Sequence, residues 1–128
     1  MSAFARYTKV NVETSSAPQI MISLFQAALR NMRASAGAFE RGDLRAGSVL
    51  ATKAANIVLG LRGTLRPEVA PDLCARLSEL YTFVACHLGI AGTKFSIKDV
   101  RDAERVFTPI AEAFTEAVAK SSGRAVAA

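Results

Sequence analysis

Residues 12–32 read VETSSAPQIMISLFQAALRNM. A short polar lead-in opens directly into a helix. The Ser16 hydroxyl can cap its first turn, Gln19 stands three residues on to reach back, and Pro18 falls where a missing N–H costs little. Along this helix Met21, Phe25, Ala28, Met32, Ala36 and Phe39 recur at heptad spacing. Ile22 and Leu29 lie on one flank, and Ile20 and Leu24 on another. A helix on a single core needs one apolar stripe of a little over about 100°. The surplus needs a second cover.

The same period continues outward from this segment, with almost no apolar–polar alternation, so the expected class is all-α. The first helix is expected to run to about Arg41 and to stop at Gly42. Asp43 offers a cap for a second helix with a stripe at Leu50, Ala54, Ile57, Leu61 and Leu65, and with Val58 and Leu59 beside it. Gly60 and Gly63 weaken its last turns by up to about 1 kcal/mol each against Ala and point to close packing or bending there. Pro67, Pro71 and Asp72 suit the opening of a third helix. Its stripe is Leu73, Leu77, Leu80, Val84 and Leu88, with Tyr81, Phe83 and Ala85 beside it, and it is expected to end in the turn GIAGT at residues 89–93. Ser96 and Asp99 form a capping pair for a fourth helix through Ile97, Val100, Val106, Phe107, Ile110, Phe114 and Val118. Pro109 removes a backbone hydrogen bond there, so this helix is expected to be kinked or split near Thr108. Short connections make successive helices antiparallel, which gives an up-and-down four-helix bundle. Residues 1–15 and 120–128 lack periodicity and are expected to form a flexible arm and tail on one domain spanning 1–128.

Composition agrees with a single domain: 128 residues, no repeat and no low-complexity tract. Sixteen Lys and Arg against 11 Asp and Glu give a charge of +5. The basic residues are interspersed with acidic ones rather than gathered in a stripe, so an ordinary solvated surface is expected and not a nucleic-acid partner. Cys74 and Cys86 stand on one helix, roughly 18 Å apart by its rise, too far for a disulfide. They read as free, small core residues. No secretory leader and no long uncharged apolar run occurs, so a cytoplasmic protein without membrane insertion is expected.

Chemistry finds little to work with. His87, the sole histidine, follows Cys86, and adjacent helical residues point about 100° apart, so the two cannot act as base and nucleophile together. One His and two Cys cannot fill a structural zinc site, no HExxH or CxxC spacing occurs, and the glycines do not form a phosphate loop. No catalytic residue, metal or cofactor is expected.

The order Tyr7, Val12, Thr14, Ser16, Leu24, Phe25, Leu29 resembles the amino-terminal signature of the FliS family of flagellin export chaperones, a tyrosine, then Val-x-Thr-Ala-Ser-Pro, then a helix carrying Leu and Tyr. The strings AxAFERGD, KAANIVxxLxxxL and LxxLYxFVxxxL resemble later blocks of that family, and the likeness spans residues 7–118. The chain departs from the pattern at Ala17, Gln26, Cys86-His87 and Phe114, which suits a divergent member.

The resemblance implies an antiparallel bundle that holds the carboxy-terminal helical segment of flagellin extended around its surface until export, so that the partner covers the surplus apolar sides. It implies contacts at Tyr7, Val12, Thr14 and Ile20, at Ile57, Val58 and Leu61 on the second helix, and at Tyr81 and Val84 on the third. The arm carrying Tyr7 is then expected to lie over the groove until flagellin displaces it. A component of the flagellar export gate as a second partner, and a homodimer in the absence of client, stay open. So do two other readings, a self-associating structural bundle and a chaperone of a different secreted client.

Overall fold

The computed structural model describes residues 18–127, with side chains described for 18–121. Among the described residues there are four helices, α1 (Pro18–Glu40), α2 (Leu44–Gly63), α3 (Pro71–Lys94) and α4 (Ile97–Ala127). Each helix packs on its neighbours in sequence, and α4 closes the ring against α1. This is the expected antiparallel up-and-down bundle.

The helix ends follow local chemistry. Gly42 at φ 80° closes α1 with a paired motif, its N–H donating to the Phe39 carbonyl (3.0 Å) while Asp43 N–H donates to Ala38 (2.9 Å). The Asp43 carboxylate then accepts from Ala46 N–H and caps α2 (3.2 Å). Ser96 Oγ accepts from Asp99 N–H (3.2 Å) and opens α4.

Four expectations change. The helix α3 runs through Gly89 and Gly92 to Lys94, because Leu88 and Ala91 still bury apolar surface and Gly92 lies against Ser48 and Thr52 of α2. Of the kink or split expected at Pro109, the split does not occur. Helix α4 is one helix that continues to Ala127, well past residue 119. Phe107, Ile110, Ala111 and Phe114 are buried on both sides of the proline, and that packing outweighs one lost hydrogen bond. Cys74 is buried, as expected of a small apolar residue, whereas Cys86 is exposed; both are free thiols. Gly60 and Gly63 pack against nothing, since a Cβ at either would meet open space.

The core is aromatic at its centre. Phe25 lies 5.5 Å from Phe107 and 5.0 Å from Phe114, and Tyr81 lies 6.3 Å from Phe107, measured between ring centres. Such pairs add to what burial alone supplies. The α1–α2 pair buries small residues on both helices, Ala28, Ser35 and Ala36 on α1 and Gly47, Ala51 and Ala54 on α2. A Cβ on Gly47 would lie 2.3 Å from the Phe39 ring, so only glycine admits this approach. The buried Ser35 hydroxyl donates to the Gly47 carbonyl between the same two helices (2.7 Å). Between α2 and α3, Ser48 Oγ donates to the Gly92 carbonyl (2.7 Å).

Candidate interaction surface

Two rows of side chains run along α3. Cys74, Leu77, Tyr81, Val84, Leu88 and Ala91 face inward and are buried. One position over, Leu80, Phe83 and Ile90 are exposed, with half-buried His87 completing their steps of 3, 4 and 3. Residues so spaced line one helix face. Further exposed apolar side chains are Ile20 and Leu24 at the start of α1, Val49 and Leu59 on α2, Leu44 at the start of α2, and Phe95 between α3 and α4. Ile20 is the most open of them, at 61%.

The α3 row is bordered by a polar clasp to α4. His87 Nδ1 lies 2.8 Å from Asp99 Oδ1, and the Phe83 ring sits 4.2 Å from the imidazole between centres. Hydrogen bonding from Ser96, and then from His87, holds the Asp99 carboxyl below its ordinary value. One turn on, Asp102 pairs with Lys98 (2.8 Å) and Arg105 (2.6 Å), and its pKa is lowered chiefly by the Lys98 ammonium.

Ligand atoms of His87, Asp99 and Asp102 lie within 4.8 Å of one another. Both Asp102 oxygens are taken by cations of α4 itself, and the His87–Asp99 bond alone of the three joins α3 to α4. On the opposite side of α4, Arg33 and Glu40 of α1 pair with Glu104 and Arg101 (2.8 and 2.9 Å).

The expected contact residues divide. Ile20 is exposed and Ile57 half-buried, whereas Val58, Leu61, Tyr81 and Val84 are core side chains with almost no accessible surface. Tyr7, Val12 and Thr14 lie outside the described residues. The core stripe of α2 is Gly47, Ala51, Ala54, Val58 and Leu61, so Leu50 and Ile57 move to its flank. On α3, Leu80 moves outward and Tyr81 takes the inner place. One signal marked the outer row in advance: His87 falls in step with Leu80, Phe83 and Ile90, and a lone imidazole suits a half-solvated face better than an apolar core.

The profile described as "Flagellar protein FliS" matches residues 1–121. The chain belongs to the FliS family. It is 29% identical over 126 residues to the flagellar secretion chaperone FliS of Salmonella typhimurium, covering 94% of this chain and 93% of the relative. It is 31% identical over 97 residues to the flagellar secretion chaperone FliSB of Pseudomonas aeruginosa, covering 73% and 77%. A solved structure titled "Crystal structure of flagellar chaperone from bacteria" superposes with a TM-score of 0.73 at 20% identity, covering 90% of this chain and 94% of that one. That likeness carries the fold. FliS membership implies a flagellar client and assigns the chain to a family of secretion chaperones rather than of enzymes. Among the described residues no helix is long and apolar enough to cross a membrane.

Proposed function

We propose that this FliS chain is a cytoplasmic chaperone that binds the carboxy-terminal helical segment of flagellin, prevents its premature assembly and keeps it competent for export, without a catalytic step. The observation that carries the reading is the row Leu80, Phe83 and Ile90, exposed on α3 although every inward position of that helix already serves the core. A soluble monomer seldom leaves such a set bare, and an amphipathic segment laid along it would bury each side chain. Ile20 and Leu24 on α1 and Leu59 on α2 are further exposed apolar side chains that such a segment could cover. In this reading Tyr7, Val12 and Thr14 supply contacts from the arm, Ile57 contributes its open flank, and Val58, Leu61, Tyr81 and Val84 support the surface from beneath.

Titration calorimetry with the carboxy-terminal segment of flagellin from the same organism, at two salt concentrations, tests it. Saturable one-to-one binding with a negative heat-capacity change and little dependence on salt is the expected result. Leu80→Ser with Phe83→Ser is expected to weaken binding at least about tenfold, since each exchange removes buried apolar area, and to leave the melting temperature nearly unchanged. Absence of binding refutes the flagellin assignment. A mass that rises with concentration in the absence of client would favour pairing of the same row between two copies.

A further inference from the structure

The end of the bundle formed by the α1–α2 and α3–α4 connections has features that client binding along α3 does not use. Phe95, which follows α3, sits at φ 57°, ψ 40° and is the one non-glycine residue with positive φ among those described. A bulky aromatic residue is strained in the left-handed region, where Gly or Asn would sit without cost. Burial does not repay that strain, because the side chain is 47% exposed and meets Phe39 only edge-on, 6.3 Å between ring centres. Strain kept at an exposed side chain is characteristic of binding surfaces. Leu44, also exposed, lies one turn before Gly47, whose backbone packs on that same Phe39 ring.

Charge at this end is unbalanced. Glu40 is paired with Arg101, Asp43 caps α2, Asp99 is held by His87 and Ser96, and Asp102 by Lys98 and Arg105. Each carboxylate there is engaged within the protein. The side chains of Arg41, Arg45 and Lys94 are exposed and have no ion-pair or hydrogen-bond partner among the described residues. Three unpaired cations therefore flank two exposed apolar side chains along the chain, Arg41 and Arg45 about Leu44 and Lys94 beside Phe95.

We infer that this end of the bundle, centred on Phe95 and Leu44 and flanked by Arg41, Arg45 and Lys94, docks an acidic segment of a partner protein that carries apolar side chains among its carboxylates. Neither element suffices alone. Carboxylates answer the unpaired cations, and Leu or Phe side chains answer the exposed pair. A nucleic acid would call for a longer basic track, and a lipid surface for a broader apolar face. The site lies beyond Ile90 at the far end of α3 from Leu80, and the amide shifts below distinguish it from the Leu80–Phe83 part of the row, so it is tested independently of the flagellin assignment.

The test uses a fluorescent 16-residue peptide with Leu and Phe along one helical face and Glu on both flanks. Two control peptides replace its Glu by Gln or its Leu and Phe by Ala. Anisotropy is read against the full chain at low and moderate salt, and amide shifts locate the site. The acidic peptide is expected to shift the amides around Leu44 and Phe95 and to bind at least tenfold more tightly than either control, with affinity falling as salt rises. Combined Arg41→Glu, Arg45→Glu and Lys94→Glu, all at exposed positions, is expected to cost at least tenfold in affinity. Phe95→Asn is expected to cost as much while melting at or above the parent temperature, because Asn tolerates the left-handed backbone.

The inference is overturned if the acidic peptide does not bind, if its shifts fall on the Leu80–Phe83 row, or if charge reversal leaves affinity unchanged. It is overturned equally if Phe95→Asn lowers the melting temperature and spares binding, which would make Phe95 structural. Anionic phosphatidylglycerol vesicles or duplex DNA binding the same three cations more tightly than the peptide would also overturn it.

Discussion

The α1–α2 seam and the α3–α4 seam join helices of similar kind by opposite means. At α1–α2 the backbone of Gly47 packs on the Phe39 ring, and a buried serine hydroxyl ties one helix to the other. At α3–α4 the inner space is filled by Tyr81 and Phe107, while the outer edge is held by the His87–Asp99 clasp beside side chains left exposed. One seam is defined by volume that is missing and the other by volume that is present. The first has no room for a partner. The second leaves an apolar row facing outward, which is where a chaperone surface can exist without opening the core.

This contrast can be broken from either side. Phe107→Ala removes a fully buried ring from the aromatic centre and is expected to lower stability by about 3–5 kcal/mol, the largest effect, read from urea unfolding. Gly47→Ala adds a single methyl where the Phe39 ring already lies within contact distance, and is expected to cost about 1–3 kcal/mol. Should Gly47→Ala prove neutral, the claim that missing volume defines the α1–α2 seam would be wrong. Gly60→Ala is the matched control. It faces open space on an exposed turn of the same helix and is expected to stabilise by about 0.5–1 kcal/mol in the same measurement.

The smallest effect concerns the clasp and has a defined pH window. Ser96 and His87 hold the Asp99 carboxyl below its ordinary value of 3.8, so the folded state binds a proton there less readily than the unfolded chain does. Its contribution is therefore complete above that value and is lost as pH falls through the lower folded one. Melting temperatures taken from pH 6 down to 2.5 should fall less steeply at the acid end for Asp99→Asn than for the parent. Curves that stay parallel throughout would show that Asp99 contributes nothing particular to the α3–α4 seam.

Much of the fold was legible because it depends on local chemistry and repeated spacing. Gly42 and Asp43 mark the first turn, Ser96 with Asp99 marks the last, and the period of 3.6 marks all four helices. The errors share a cause. Ranking residues by apolar size placed Leu50, Ile57 and Leu80 in the core and passed over Gly47 and Ala51, yet where backbones approach closely the smallest residues take the inner positions. Val58, Leu61, Tyr81 and Val84, expected among the contact residues, are buried in the bundle. Gly60 was expected to pack closely and Gly47 was not noticed, because sequence shows that a glycine is present and not which side of the helix it faces.

What the sequence determined by itself is the class, the antiparallel order and the excess of apolar side chains over what one core requires, since caps, turns and periodicity act within a few residues. The tertiary structure decided which members of that excess face outward. Rotation of a helix about its own axis is set by how closely its neighbour can approach, and a difference of one residue in that rotation exchanges Leu80 for Tyr81. Continuity of α4 through Pro109 was decided in the same way, by burial of Phe107 and Phe114 against α1, a contribution that no local rule contains.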